Sequence, residues 1–192
     1  MYRPMLFNAD MARAILEGWK TETRRRVRAE QAAAVLSSPA RAENPEIPDY
    51  KFIEALCDAP CVAGDILWVR ETWTTVPDGS YVYKASVECA DAWKGTWSPS
   101  IHMPKEAARV FLRVTEVRAE RLQSISHEDA EQEGCWCDES GLAMPIDRFA
   151  GLWDSTVKPK DRPTYGWAAN PWVWVICFER VDRPGDFLEG KT

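Results

Sequence analysis

The chain of 192 residues is long enough for one domain with an insertion and short for two complete domains. Its formal net charge of -6 argues against a protein that coats nucleic acid non-specifically, because such proteins are usually basic. No apolar run reaches membrane-spanning length, and the first ten residues lack the apolar core of a signal peptide. We therefore predict a cytoplasmic protein without a membrane partner.

The cysteines do not indicate a disulfide framework or a metal centre. Disulfides are rare in cytosolic proteins, and the spacings Cys57-x3-Cys61 and Cys135-x-Cys137 differ from the paired two-residue spacing of structural zinc sites. The six thiols are expected to be reduced, and neither a metal nor a cofactor is predicted. They are Cys57, Cys61, Cys89, Cys135, Cys137 and Cys177.

The first element expected along the chain is a helix in the stretch NADMARAILEG. Asn8 can cap it, and Gly18 suits the left-handed position that follows a helix. A strand is expected from Lys20 to Arg24, in which Thr21 and Thr23 share one side while Lys20, Glu22 and Arg24 share the other. Lys20 and Thr23 would then face opposite sides unless the chain bends between them.

A basic run, RRRVR, follows at residues 24–28 and allows two interpretations. It is either a solvated surface segment or a patch that contacts nucleic acid. Residues 29–60 resemble an insertion, with two short helices separated by the proline-punctuated stretch PARAENPEIPDY.

The middle of the chain is expected to be rich in strands. Ile66 to Thr72 forms a strong strand, Asp78-Gly79 a turn before another short one, and residues around Arg109–Val114 a third. A long aromatic loop, WKGTWSPSIHMP, lies between the last two, and long ordered loops tend to be functional.

Two helices and a buried strand are expected in the last third. Ser126 and Asp129 form a capping-box pattern, and Pro145 suits the first turn of the second helix. The stretch NPWVWVICFER is apolar on both sides and predicts a central strand. We expect one α+β domain over residues 1–182, with an insertion at 29–60 and a flexible C-terminal tail at 183–192. A small, mostly antiparallel β-barrel with helices at its ends fits these elements.

Five segments in this order resemble the ASCH domain, a family of the PUA-like superfamily of small β-barrels. They are ILEGWKTETRR, GDILWVRETW, WSPSIHMP, SHEDAEQEG and NPWVWVICFE, and the resemblance runs from about Met5 to Glu179. The chain resembles the longer versions that are common in phages and prophages. Its sequence is also similar to the bacterial N4-acetylcytidine amidohydrolases of this family, although those enzymes are little more than half as long.

The resemblance implies three catalytic residues. Lys20 and Thr23 match the lysine and threonine that follow the first helix in those enzymes, and Glu133 in AEQEG matches their glutamate. Hydrolysis of an acylated cytosine needs a nucleophile, a base and an acid for the leaving amine. A neutral Lys20 could activate Thr23, and Glu133 could protonate the amine. An acyl-enzyme on Thr23 and direct attack by water both fit the sequence.

Further residues are candidates for binding a nucleoside or single-stranded RNA. Charged residues at the end of a strand can line the mouth of a barrel, and tryptophans can stack on bases. His102 lies in the aromatic loop, whereas His127, at a helix start, is expected to cap or face solvent. The candidates are Arg24, Arg70, Glu71, Trp73, Trp97 and His102. The alternative to an amidohydrolase is a binding module for RNA or a modified base, or a ribonuclease. The sequence does not determine the oligomeric state.

Overall fold

The computed structural model describes residues 1–86, 95–136 and 144–189. The described chain divides into two compact units, each assembled from several stretches of sequence. Unit 1 contains residues 1–21, 63–115 and 178–192, and unit 2 contains residues 22–62 and 116–177. The single domain expected over residues 1–182 stays a prediction.

Unit 1 is built on strands that pack against an aromatic core. Strand β1 (Tyr2–Leu6) pairs in parallel with β3 (Ile66–Arg70), and β3 pairs antiparallel with the first half of β6. Helix α1 (Ala9–Leu16) follows β1, and a hairpin joins β4 (Trp73–Thr75) to β5 (Tyr81–Tyr83). The core residues are Trp68, Met103, Ala107, Ala108, Phe111 and Phe187.

Unit 2 contains the other α-helices of the described residues. Strand β2 (Glu22–Arg26) pairs antiparallel with the first part of β7, and a helical core packs beside it. The 29–60 stretch holds three helices. The helices of this unit are α2 (Ala29–Leu36), α3 (Pro39–Glu43), α4 (Asp49–Leu56), α5 (His127–Gln132), α6 (Pro145–Thr156) and α7 (Arg162–Tyr165).

Two long strands run through both units. They are β6 (Phe111–Arg121) and β7 (Trp172–Val181), and they are neighbours in the sheet. The predicted α+β class with mostly antiparallel strands is confirmed. Among the described strands β1 pairs only with β3 and β2 only with β7, so neither is paired on both sides as a strand of a closed barrel would be. No described helix is both long and apolar enough to traverse a bilayer.

Three sequence-based expectations differ from the structure. The first element is β1 rather than a helix. Part of the proline-punctuated stretch forms α3, which begins at Pro39 with Ser38 as its cap, because proline is tolerated in the first turn of a helix. In the expected flexible tail, Phe187 is fully buried against Phe111, with their ring centroids 4.7 Å apart, because a large aromatic side chain gains much by burial. Residues 190–192 lie outside the described part.

Candidate functional site

Strand β2 carries polar side chains into the interior of unit 2. Glu22, Thr23 and Arg24 are all buried, which is rare for charged residues that lack partners. Glu22 and Arg24 share one side of the strand, as the alternation predicts, and Arg24 Nη1 donates to Glu22 Oε1 at 2.5 Å. The side chain of Arg24 has no exposed surface, so the solvated interpretation of the basic run is wrong for this residue.

Arg24 is the centre of a buried charge cluster. Its guanidinium donates to Glu120 Oε1 at 2.7 Å, lies 3.4 Å from Glu133 Oε1, and lies 3.5 Å from Asp129 Oδ2. Burial acts to lower the pKa of Arg24, but Glu133, Glu22 and Glu120 outweigh it and raise that pKa. Arg24 is therefore a fixed cation that holds carboxylates from three separate parts of the chain.

A second guanidinium, that of Arg118 on β6, completes the cluster. It donates to Glu22 Oε2 at 3.1 Å and to Cys177 Sγ at 3.2 Å, and the Cys177 thiol donates to the same Glu22 oxygen at 3.3 Å. Burial and the nearby Glu22 carboxylate raise the pKa of Cys177 to about 11, so this cysteine is a thiol at neutral pH. Low-pKa thiolates are the reactive form, which argues against Cys177 as a nucleophile.

Asp129 on α5 and Glu133, the residue after that helix, are held by local structure. The Ser126 hydroxyl accepts from the Asp129 N–H, and the Asp129 carboxylate accepts from the Ser126 N–H, so the predicted capping box is confirmed. Burial acts to raise the pKa of Asp129, but these bonds and the two guanidiniums lower it overall. The helix ends at Gln132, and Gly134 takes a φ of 88°, which leaves Glu133 buried at the turn.

Thr23 lies on the other side of β2 and meets Arg25. Arg25 Nη1 donates to Thr23 Oγ1 at 2.8 Å. Burial lowers the pKa of Arg25, while the charge of Glu133 acts to raise it. A guanidinium beside a hydroxyl oxygen favours negative charge on that oxygen, which is the property that a threonine nucleophile needs.

Lys20 belongs to unit 1. Helix α1 ends at Leu16, as predicted with Asn8 as its cap, and Gly18 takes a left-handed φ of 81°. The Lys20 N–H donates to the Ala14 carbonyl at 3.1 Å, which completes the turn after the helix. Lys20 is only 2% exposed. The strand begins at Glu22, two residues later than expected.

The other predicted binding residues lie in unit 1, and two of them make internal polar contacts. Glu71 is fully buried and accepts a bidentate pair from Arg109 at 2.9 and 3.0 Å, and Arg109 stacks 3.9 Å from the Tyr83 ring centroid. Arg70 donates to the Ile101 carbonyl and lies over the Trp68 ring.

The three remaining candidates differ in exposure. Trp73 packs edge-on against Tyr81 and pairs by backbone hydrogen bonds with Ser98. Trp97 is half-buried and His102 is exposed. A role for these residues in binding stays a prediction. In residues 1–86, 95–136 and 144–189, no group of three or more His, Cys, Asp or Glu side chains is arranged to hold a metal ion.

Sequence reasoning missed most of the charge cluster. Its unpredicted members are Glu22, Arg118, Glu120, Asp129 and Cys177, and Arg25 beside Thr23 was missed as well. One signal was present, because Glu116, Arg118 and Glu120 alternate with Val117 and Ala119 along β6 and so place three charges on one side of a strand.

Comparisons with known proteins add a structural likeness. A scan against models of protein families finds no match, and a search of curated proteins finds none. The chain is similar to the crystal structure of an ASCH domain from Lactobacillus crispatus JV V101, with 14% sequence identity and a TM-score of 0.44, over 95% of this chain and 80% of that chain. It is also similar to protein EF3133 from Enterococcus faecalis V583, a DUF984 protein, with 12% identity and a TM-score of 0.44, over 96% and 84%.

Proposed function

We propose that this protein is an amidohydrolase that removes the acyl group from N4-acylated cytidine or a related modified nucleoside. The supporting observation is burial. Lys20, Thr23 and Glu133, the three residues that the ASCH resemblance implies, are 2%, 2% and 4% exposed. A lysine after a helix and a glutamate at a helix end usually point to water, and burial of such side chains is uncommon unless they are paired or functional.

In the proposed reaction Thr23 is the nucleophile. Its Oγ1 attacks the acyl carbon. Arg25, whose Nη1 lies 2.8 Å from Oγ1, stabilises the negative charge that builds up on oxygen during the attack. Lys20 in its neutral form takes the hydroxyl proton, a role that rests on the resemblance alone. Glu133 is a carboxylate beside Arg24, so the proton that Lys20 has taken passes to Glu133 and from it to the exocyclic amine as the C–N bond breaks.

Water then hydrolyses the threonine ester, which releases the carboxylic acid and restores the hydroxyl. The same groups also suit a reaction in which Thr23 orients a water that attacks the acyl carbon directly. Both routes consume one water and give one carboxylic acid and one cytidine.

The test is release of cytidine from N4-acetylcytidine by the purified full chain, followed by chromatography. We expect release by the wild type and a fall in rate of about 10²–10⁴-fold in K20A, T23A and E133Q, as is typical when an acid, base or nucleophile is removed. T23S keeps the hydroxyl and is expected to retain part of the rate. Thr21→Ala is the matched control, because Thr21 is an exposed neighbour on the same segment.

Two outcomes would reject this proposal. One is a wild-type protein that releases no cytidine, and if that protein binds single-stranded RNA tightly, a binding module replaces the enzyme. The other is a set of K20A, T23A and E133Q proteins that stay folded by circular dichroism and hydrolyse at the wild-type rate.

A further inference from the structure

Unit 2 contains a cavity whose lining includes no residue of the charge cluster. Its volume is about 240 Å³, and it opens between α2 and the segment from residue 164 to residue 172. The small side chains of α2 leave the space, and two aromatic rings form part of the wall. The lining residues that matter here are Ala29, Ala33, Arg121, Tyr165 and Trp172.

Two exposed arginines stack on these aromatic rings. The Arg121 guanidinium lies 4.5 Å from the Trp172 ring centroid, and the Arg26 guanidinium lies 4.8 Å from the Tyr165 ring centroid. Within the described part of the chain, neither comes within 4.0 Å of a carboxylate. Arg121 Nη1 donates instead to the Asn170 carbonyl at 3.1 Å, in contrast to Arg24 and Arg118, which are held by carboxylates.

Among the described residues, the cavity wall offers aromatic surface and no free ring N–H. Trp172 Nε1 has almost no accessible surface, so it does not face the cavity. The Tyr165 hydroxyl accepts from the Ala29 N–H at 3.1 Å. What the wall presents to a ligand is therefore ring surface and the Arg121 charge.

We propose that this cavity binds a nucleotide, with the base between the apolar wall and the aromatic rings and the phosphate on Arg121, the arginine that lines the cavity. Aromatic side chains bind bases by stacking, and guanidiniums match phosphate in charge and geometry. The volume lies below the roughly 300–1,000 Å³ of sites for drug-sized ligands, so it fits one planar ring system.

The nucleotide is either free or one unit of single-stranded RNA, and the two sources share the chemistry. The site does not depend on the proposed hydrolysis, because it uses none of the residues assigned to that reaction. Its test therefore uses ligands without an acyl group and measures binding alone.

The experiment is fluorescence anisotropy of a labelled eight-nucleotide RNA of mixed sequence with the full chain, with unlabelled CMP and AMP as competitors. Ala33→Leu fills the cavity from an exposed helix position. Ala34→Leu is the matched control, because Ala34 is exposed on the same helix and does not line the cavity. Arg121→Gln removes one stacked charge, and Arg180→Gln is its control, because Arg180 is also exposed and donates to a backbone carbonyl.

We expect A33L and R121Q to weaken binding by about tenfold or more, in line with the loss of a base-stacking contact, and both controls to stay within about twofold. Competition by CMP or AMP identifies a free nucleotide as a ligand, whereas binding of the oligonucleotide without such competition identifies single-stranded RNA. The proposal is overturned if neither ligand binds, or if folded A33L binds as tightly as A34L.

Discussion

At the scale of single residues, Glu22 is subject to opposing effects. Burial raises the pKa of its carboxyl, whereas Arg24 and Arg118 act to lower it, and burial prevails. Asp129 in the same cluster has a lowered pKa, since its bonds to Ser126 and the two guanidiniums outweigh burial. The two acids therefore contribute to stability with opposite dependence on pH.

A prediction about pH follows for Glu22. Because its pKa is higher in the folded chain than in the unfolded chain, its contribution to stability is fully present below the unfolded value of about 4.3 and is lost as the pH rises through the folded value. The free energy of unfolding of the wild type relative to E22Q should thus fall as the pH is raised from about 4 through the titration of Glu22. Urea denaturation across this range measures it.

D129N provides the internal control for that experiment. The contribution of Asp129 to stability is present above its unfolded pKa and is lost as the pH falls through the folded value. The free energy of unfolding of the wild type relative to D129N should therefore increase as the pH rises. Equal slopes for the two variants would contradict the assignment of opposite shifts.

Gly166 gives a second prediction at this scale. A Cβ atom there would lie 2.7 Å from the backbone oxygen of Arg162, and that oxygen accepts the Gly166 N–H at 2.8 Å. We expect Gly166→Ala to lower the free energy of unfolding by about 1–3 kcal/mol, as overpacking does. A Cβ atom at Gly151 in α6 would have no atom within 4 Å. Gly151→Ala should therefore raise the free energy of unfolding by about 0.5–1 kcal/mol, because alanine has the higher helix propensity. Thermal unfolding of both variants measures the two changes. A G166A protein more stable than the wild type would contradict the predicted steric clash with the Arg162 oxygen.

The environments of the arginines in RRRVR could not be predicted from the sequence. Arg24 is neutralised by Glu120, Asp129 and Glu133, which lie about a hundred residues further along the chain. Arg26 meets an aromatic ring instead. Local pattern reveals which side of the strand a residue takes, but the partner on that side depends on tertiary packing.

At the scale of elements, helix ends are the features that the sequence predicts best. The caps at Asn8 and Ser126 and the left-handed Gly18 and Gly134 all agree with the structure, because each is determined by atoms within a few residues. Strand β1 was missed for the opposite reason. Pro4 lies inside it, and proline is tolerated there only because β1 pairs on one side, with β3.

The capping box yields the prediction at this scale. Ser126→Ala removes the acceptor for the Asp129 N–H and should lower the free energy of unfolding by about 1 kcal/mol, the usual value of an N-cap. Ser155→Ala, at an exposed position near the end of α6, is expected to change it by less than about 0.5 kcal/mol. Chemical denaturation provides the measurement, and equal effects of the two substitutions would show that the cap contributes nothing.

At the scale of the whole molecule, each unit consists of stretches that are far apart in the sequence. The chain passes from one unit to the other after Thr21, Val62, Thr115 and Cys177. The sequence indicated the insertion at 29–60 but not this division, because the two later passages fall within β6 and β7, where the pattern of a strand continues without a break.

This interleaving sets an order of events during synthesis on the ribosome. Unit 2 lacks the residues that pair with β2 until the chain has been made as far as Cys177, and unit 1 lacks Phe187 until still later. At about 5–20 residues per second, the roughly 150 residues between β2 and Cys177 take about 8–30 seconds to synthesise. Arg24 and Glu22 are therefore solvated in the nascent chain until then, and unit 1 completes its core only after Phe187 has been made.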